Sequence, residues 1–226
     1  MFKMAFPIQL SHFMGRPDGG KNRRAVLVKQ LAERDRRRMS KHFLSLGESD
    51  RLLRFGSQLP DELVQAYVDR IDFTRDTLYG VYNRVFRLVA VGHLAFAPKE
   101  KVTAGGTHTS KSRIAEFGVS VSASARGMGI GSKLFERAAI HCRNSDVDTL
   151  YMHCLSSNQT MMHIAKKAGM EIERERGEAD AYLRLPPANP ASKLQEAIEE
   201  QVATLDYNLK ANKRFALKFF GVGGKS

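Results

Sequence analysis

Arg126-Gly127-Met128-Gly129-Ile130-Gly131 reads RGMGIG. It follows an alternating apolar stretch, Ile114-Ala115-Glu116-Phe117-Gly118-Val119-Ser120-Val121, and precedes Ile130, Leu134 and Ala138 at four-residue steps. That order predicts a strand, a glycine-rich turn and a helix start. Glycine permits positive φ and lets a ligand approach the backbone closely. The unpaired N–H groups and positive end of the following helix favour an anion, most often a phosphate.

Three phosphate-binding patterns compete for this turn. A dinucleotide turn requires G-x-G-x-x-G with an acidic residue about 20 positions on. Here Ser132 stands five residues after Gly127, and Asp146 and Asp148 precede the next predicted strand rather than end it. A P-loop requires Gly-Lys-Ser/Thr, which this turn lacks. The pattern that remains is Arg/Gln-x-x-Gly-x-Gly/Ala, met by Arg126 to Gly131. A plain strand-to-helix turn is the alternative for RGMGIG taken alone.

The stretch from Ala115 to Met170 resembles motifs A and B of the GNAT superfamily of N-acetyltransferases. AEFGVSV stands where these enzymes have a central strand. RGMGIGSKLFERAAIHC resembles their pyrophosphate loop and its helix. TLYMHCLSSNQTMMHIAKKAGMEI resembles the next strand, an Asn-initiated helix and its usual ending. Upstream, SLGESDRLLRFG is similar to a stretch in the first helical region of bacterial members. In one bacterial subgroup such a domain, sometimes fused to an acyl-CoA-synthetase-like chain, acetylates protein lysines. With these pieces the resemblance covers roughly residues 26–185.

The resemblance implies an acetyl-CoA-dependent N-acetyltransferase in which the amine attacks the thioester directly in a ternary complex. Backbone N–H groups of Arg126, Gly127, Met128, Gly129, Ile130, Gly131 and Ser132 are expected to cradle the pyrophosphate. The backbones of Val119 and Val121 are expected to pair with the pantetheine arm as an added strand pairs with a sheet edge. Asn158 is expected to hydrogen-bond the arm; it also suits the N-cap of the next helix, and an amide has groups for both roles.

Glu116 is the first candidate base. A partly buried glutamate is more basic and suits proton removal from an amine; an ion pair on the sheet face is its other reading. His153, in the neighbouring strand, is the second candidate base; a hydrogen-bonded sheet histidine is its other reading. Many members carry a tyrosine seven residues after the helix asparagine as general acid. Here that position is Ala165, so Tyr151 or Tyr182 can substitute only if the fold brings one close. His93, His108, His141 and His163 show no spacing that singles them out.

Composition sets the outer bounds. A chain of 226 residues holds one good-sized domain plus extensions. Apolar content of 42% suits a soluble globular protein, and no run approaches the roughly 18 apolar residues of a membrane span. MFKMAFPIQLSHFM is broken by Pro7 and lacks a small-residue cleavage site, so no signal peptide and a cytoplasmic location are expected. Cys142 and Cys154 have no metal-ligand spacing and read as reduced thiols; no metal is expected. The formal net charge is +12, and residues 1–54 hold 13 Lys/Arg against 5 Asp/Glu, densest in Lys29–Lys41. A basic surface attracts nucleic acid, acidic protein or the 3′-phosphate of coenzyme A. Aromatic residues are not interleaved with the basic cluster, so nucleic acid is not favoured.

The predicted fold class is α+β, a mixed sheet of about six to seven strands flanked by helices, with a C-terminal helical extension. The reading divides the chain into an irregular segment 1–25, an acetyl-CoA-binding domain 26–187 and a C-terminal helix and tail 188–226. Strands are expected at Ala25–Leu31, Thr77–Asn83, Phe86–Ala97, 113–121, 149–155, 170–175 and 179–185. Helices are expected at Asp35–Leu46, after a cap at Ser49 or Asp50, from Pro60 to Ile71, at 130–143, at 158–168 and at 191–212. Leu63, Ala66, Tyr67 and Ile71 are the expected buried stripe of the third. On the last, Leu194, Ile198, Val202, Leu205 and Leu209 form one apolar stripe, to be covered by the domain itself or by another subunit in a homodimer. The acceptor is expected to be a protein lysine or a small amine, drawn in by acidic Glu62, Asp69, Asp72 and Asp76. The rival reading is a non-catalytic module that binds acyl-CoA or nucleic acid on the same fold.

Overall fold

The structure, a computed structural model, describes residues 25–96 and 113–219. The expected irregular N-terminal segment, the 98–111 loop and the Gly-rich tail lie outside the described residues. The strands are β1 (Lys29–Gln30), β2 (Thr77–Tyr82), β3 (Leu88–Phe96), β4 (Ile114–Val121), β5 (Thr149–Leu155), β6 (Glu171–Glu175) and β7 (Glu178–Arg184). The helices are α1 (Arg36–Leu44), α2 (Glu48–Phe55), α3 (Asp61–Asp69), α4 (Ile130–Asn144), α5 (Gln159–Lys167) and α6 (Pro190–Phe219). One seven-stranded mixed sheet runs β1-β2-β3-β4-β5-β7-β6. Every pair is antiparallel except β4 and β5.

Alternation along the strands sends side chains to two cores. On one face Ala115, Phe117, Leu150 and Met152 meet Leu134 and Phe135 of α4 and Ile164 of α5. On the other, Leu78 and Val91 meet Met39 and Phe43 of α1 and Val64 and Val68 of α3. The outer strand β6 is mostly exposed and reads Glu-Ile-Glu-Arg-Glu, a run of charge that discourages pairing with another chain. The opposite edge, β1, lies beneath α6: Lys29 ion-pairs with Glu200, and Lys210 donates to the Tyr82 carbonyl at 2.9 Å.

Several expected elements shift. The first strand shrinks to Lys29–Gln30, preceded by extended chain. Gly47 occupies the N-cap of α2, so Ser49 and Asp50 lie inside its first turn. The buried stripe of α3 is Val64, Val68 and Ile71, while Leu63 is exposed. The expected stripe was one step off because a short helix with apolar residues at 63, 64, 66, 67 and 68 offers two adjacent faces. α6 begins at Pro190 and runs well past residue 212. Asn189 Oδ1 accepts from Ser192 N at 2.8 Å, while Ser192 Oγ accepts from Asn189 N at 3.1 Å. This is a reciprocal cap ahead of a proline at the first helical position.

α6 is fastened by polar groups. Arg137 of α4 is 1% exposed, bonds Glu196 at 3.0 Å and Glu200 at 3.5 Å, and lies over the Tyr79 ring. Burial opposes the charge on Glu196, but hydrogen bonds from His141 and Asn144 and the His141 and Arg137 charges hold its carboxyl at about 2. Further along, the buried Asp35 carboxylate accepts from Tyr82 at 2.9 Å and from Tyr207 of α6 at 3.0 Å. Arg137→Ala strands carboxylates that were paired with a buried cation, and is expected to cost about 3 kcal/mol of stability in urea unfolding.

His42 of α1 is buried, with Nε2 at 2.8 Å from Ser120 Oγ. Burial is the largest cause that pushes its pKa down from 6.5 to about 4, with Arg87 and Arg54 adding to it against a backbone hydrogen bond. Between those values the unfolded chain holds more protons than the folded one. Stability is therefore expected to fall as pH drops from about 6.5 to about 4, by up to about 3 kcal/mol. Urea midpoints across this window should fall in the wild type and fall much less in His42→Gln.

Candidate functional site

The site begins where a hydrogen-bond ladder stops. β4 and β5 pair only at Ile114↔Thr149, Ala115↔Leu150 and Glu116↔Tyr151. On its other side β4 stays paired with β3 as far as Val121. Ser122 N donates to Val89 O of the β3 side at 2.8 Å, whereas Arg113 O accepts from Asp148 N on the β5 side at 3.0 Å. Alternation then turns the peptide groups of Phe117, Val119 and Val121 toward β5, into the gap. These include the two residues expected to pair with a pantetheine arm.

The glycine loop closes the same end. Gly127 and Gly129 have φ of 72° and 74°. A Cβ at either would meet nothing within 4 Å, so backbone conformation rather than crowding calls for glycine. Gly129 is the N-cap of α4 and no side chain caps it. The amides of Ile130, Gly131 and Ser132 therefore have no intrahelical acceptor. Gly131 sits against Ile164 of α5, and Met128 is exposed. The Arg126 guanidinium ion-pairs with Asp50 of α2 and its backbone N–H donates to Ala123 O at 3.3 Å, so the amides left open in the loop begin after Arg126. Gap and loop thus offer two sets of open backbone donors at one end of the sheet, a chemistry that suits an extended arm ending in phosphate.

Asn158 is buried and occupied at both ends. Its Oδ1 accepts from Met161 N at 3.1 Å, capping α5, and its Nδ2 donates to Leu53 O of α2 at 3.3 Å. One amide hydrogen remains for another acceptor.

The face of β4 opposite α4 carries a polar line that the sequence did not reveal. Arg54 Nη2 lies 2.8 Å from Tyr67 Oη, Tyr67 Oη lies 2.7 Å from His93 Nδ1, and His93 Nε2 lies 3.0 Å from Asp76 Oδ2. Guanidinium only donates and carboxylate only accepts, which fixes every direction for a neutral imidazole. Arg54 donates to Tyr67, Tyr67 to His93 and His93 to Asp76. Burial first, then the Arg54 charge, lowers the His93 pKa, while Asp76 raises it. The guanidinium lies against Gly118, where a Cβ would come within 2.9 Å of it. The four residues come from α2, α3, a loop and β3, which is why no sequence spacing marks them. A glycine in mid-strand was the available signal.

Glu116 borders this line and is exposed, not partly buried as expected. Its charge is felt by Tyr67, His93 and Tyr151. Tyr151, its cross-strand partner, donates to Asp180 Oδ1 at 2.5 Å. His153 shares the same oxygen at 2.8 Å, so it belongs to a β5–β7 hydrogen-bonded pair, and Asp180 is held low by both partners. Tyr151 and Tyr182 stack at 5.2 Å, tilted. Ala165 is buried in α5, and the Tyr151 proton is committed to Asp180.

Register places Glu116, Glu178, Asp180, Glu171 and Glu173 on one face of the sheet. Of the four acids expected to draw in an amine, only Asp76 joins the site; Asp72 bonds Thr74 and Asp69 bonds Gln65. The basic cluster is spent in part internally. Arg36 donates to Val68 O and Asp69 O at the end of α3 and to Ile71 O just beyond it at 2.8 Å, while Arg34 and Arg38 lie over Tyr207 and Phe86. Among the described residues no group of three or more His, Cys, Asp or Glu side chains is arranged to hold a metal ion, and no helix is long and apolar enough to cross a membrane.

Residues 49–170 match the model of the acetyltransferase (GNAT) family. No curated protein sequence matches the chain. Among solved structures, the GNAT domain of S. lividans PAT superposes with a TM-score of 0.55 at 21% identity, covering 70% of this chain and 89% of that one. A GNAT-family acetyltransferase from Streptococcus pneumoniae gives 0.53 at 11% identity, covering 71% and 100%. Spermidine N-acetyltransferase from Vibrio cholerae, solved with CoA and spermine, gives 0.50 at 16% identity, covering 70% and 92%. At these identities the superpositions establish the fold.

The polar line makes a prediction that needs no substrate. Arg54→Met should raise the titration midpoint of His93 and Asp76→Asn should lower it, followed by imidazole NMR. A His93 midpoint indifferent to both would break the line.

Proposed function

Because this chain belongs to the GNAT family of acetyltransferases, it is an enzyme that transfers an acetyl group from acetyl-CoA to an amine, and we propose that the β4–β5 gap and the glycine loop hold the donor while a cationic primary amine enters over the acidic sheet face. The observation that carries the reading is the direction of the Val119 and Val121 peptide groups, into a gap that ends at the uncapped start of α4. Acetyl-CoA supplies the thioester carbonyl and a thiolate leaving group. The amides from Gly127 to Ser132 take the pyrophosphate, and the free Asn158 hydrogen reaches the arm.

A cationic amine must lose a proton before it can attack. Glu116, exposed beside the gap, takes that proton. The C–N bond forms as the C–S bond breaks, and the nitrogen's second proton ends on the departing sulfur, directly or through water. An amide of Val119 or Val121 donates to the carbonyl oxygen as charge builds there. His93 and Tyr67 are neutral and buried behind Glu116, so they orient rather than accept the amine proton. His153 is tied to Asp180 and acts with it as part of the acceptor surface. The acids on this face favour a lysine side chain in a basic protein segment, or a small polyamine-like amine, against a neutral one.

Calorimetric titration of acetyl-CoA tests the donor half. The wild type is expected to bind and Gly129→Glu to lose binding. Glu116→Gln should keep binding and lose about 100-fold or more in turnover of a lysine-rich peptide. Absence of binding by the wild type would overturn the proposal.

A further inference from the structure

α6 wears its amphipathicity inside out. Its charged side chains Glu196, Glu199 and Glu200 face Arg137 of its own domain. Leu194, Ile198, Val202, Leu205 and Leu209 face solvent, between 44% and 71% exposed. The other exposed positions between Leu194 and Asn212 are alanine, glutamine and asparagine. The five side chains present on the order of 500 Å² of apolar surface, at the upper end of patches on monomeric proteins and about what the apolar centre of a standard interface of roughly 800 Å² per partner needs.

We propose that this stripe binds a second copy of the same chain, α6 against α6. Ile198 and Leu205 are seven residues apart, as are Val202 and Leu209. A seven-residue repeat keeps a seam facing one partner helix, and here it runs from Ile198 to Leu209 in the middle of the 30-residue α6. Charge points the same way. Between Leu194 and Asn212 the ionic groups Glu196, Glu199, Glu200, Asp206 and Lys210 are each half-buried and paired within the chain, so the stripe offers nucleic acid or a charged peptide little to read. Two copies of a chain of net charge +12 approach here without direct like-charge contact. Burying apolar side chains away from charge also fits the anatomy of an interface centre. The stripe is on the outer side of α6, whose inner side packs on α4 and the β1 edge.

Sedimentation velocity of the full chain at micromolar concentration is expected to give a dimer. Ile198→Glu/Leu205→Glu should give a monomer, with at least a 100-fold weaker association. Both positions face solvent in the single chain, so the variant should still fold and bind acetyl-CoA, with a melting temperature that no longer rises with protein concentration as the wild type's does. Should that variant fold poorly, Val202→Cys provides a second arm. Cys142 and Cys154 are buried, and mild oxidation should link the variant to itself while a Leu63→Cys control stays unlinked. A monomeric wild type, or a dimer that survives both glutamates without linking at position 202, would overturn the proposal. Neither result bears on acetyl transfer.

Discussion

A peptide group at the edge of a strand must find a partner or stay wet, and the divergence of β4 from β5 leaves such groups unpaired in the middle of a sheet. Each strand is held on its far side, β4 by β3 as far as Val121 and β5 by β7 as far as Leu155. Neither can swing back to close the gap without giving up that ladder. α2 and α5 keep the opening in shape: Leu53 receives the Asn158 amide, and Asp50 holds Arg126 at the start of the glycine loop. An unmade buried hydrogen bond costs about 1–3 kcal/mol. The fold thus gathers unsatisfied donors of β4 and α4 at one place, and a ligand with a matching row of acceptors gains what the protein forgoes.

The same accounting explains why α6 belongs to the domain despite its apolar outer face. Arg137 is buried on α4 and needs anions; among the described residues α6 alone supplies them, as three glutamates spaced about one turn apart. Asp35 needs donors, and Tyr207 of α6 is one of two tyrosines that provide them. A helix docked by its charges must turn its leucines outward. Polar docking of this kind specifies position at a desolvation cost, which the covered edge of β1 and the Tyr82–Phe86–Tyr207 ring cluster help to offset.

How far the sequence could be read depended on how local each signal was. The β4–loop–α4 segment was legible because strand alternation, two glycines and a helical repeat lie side by side within about thirty residues. β5 came out with the boundaries expected of it, and α5 started at its asparagine cap. Periodicity finds a stripe but not what faces it. For α3 it picked Leu63, and packing against Phe43 and Met39 buried Val64 instead. For α6 it found the leucines and could not say that Arg137 would claim the other side. The Arg54–Tyr67–His93–Asp76 line was invisible because its members are brought together only by the docking of α2 and α3 on the sheet. Glu116 was placed on the correct face by alternation, yet its exposure depended on which helices stop short of it.

Net charge was the least faithful guide. A chain at +12 suggests an acidic partner, and the densest basic run lies in Lys29–Lys41. Half of those six cations prove to be internal fittings: Lys29 on Glu200, Arg36 on the end of α3, Arg38 against Asp35 and Phe86. A guanidinium that already donates to three carbonyls of a helix end cannot bind a phosphate without uncapping that helix. The acids are distributed in the opposite sense. Glu171, Glu173, Glu178 and Asp180 sit on the face of β6 and β7 that points away from the α5 core and share that face with Glu116. What a partner meets beside the β4–β5 gap is therefore the sign opposite to that of the whole molecule. Over distances longer than the screening length of roughly 10 Å the global charge fades and the local face decides, so a basic protein of this design can still select a cationic acceptor.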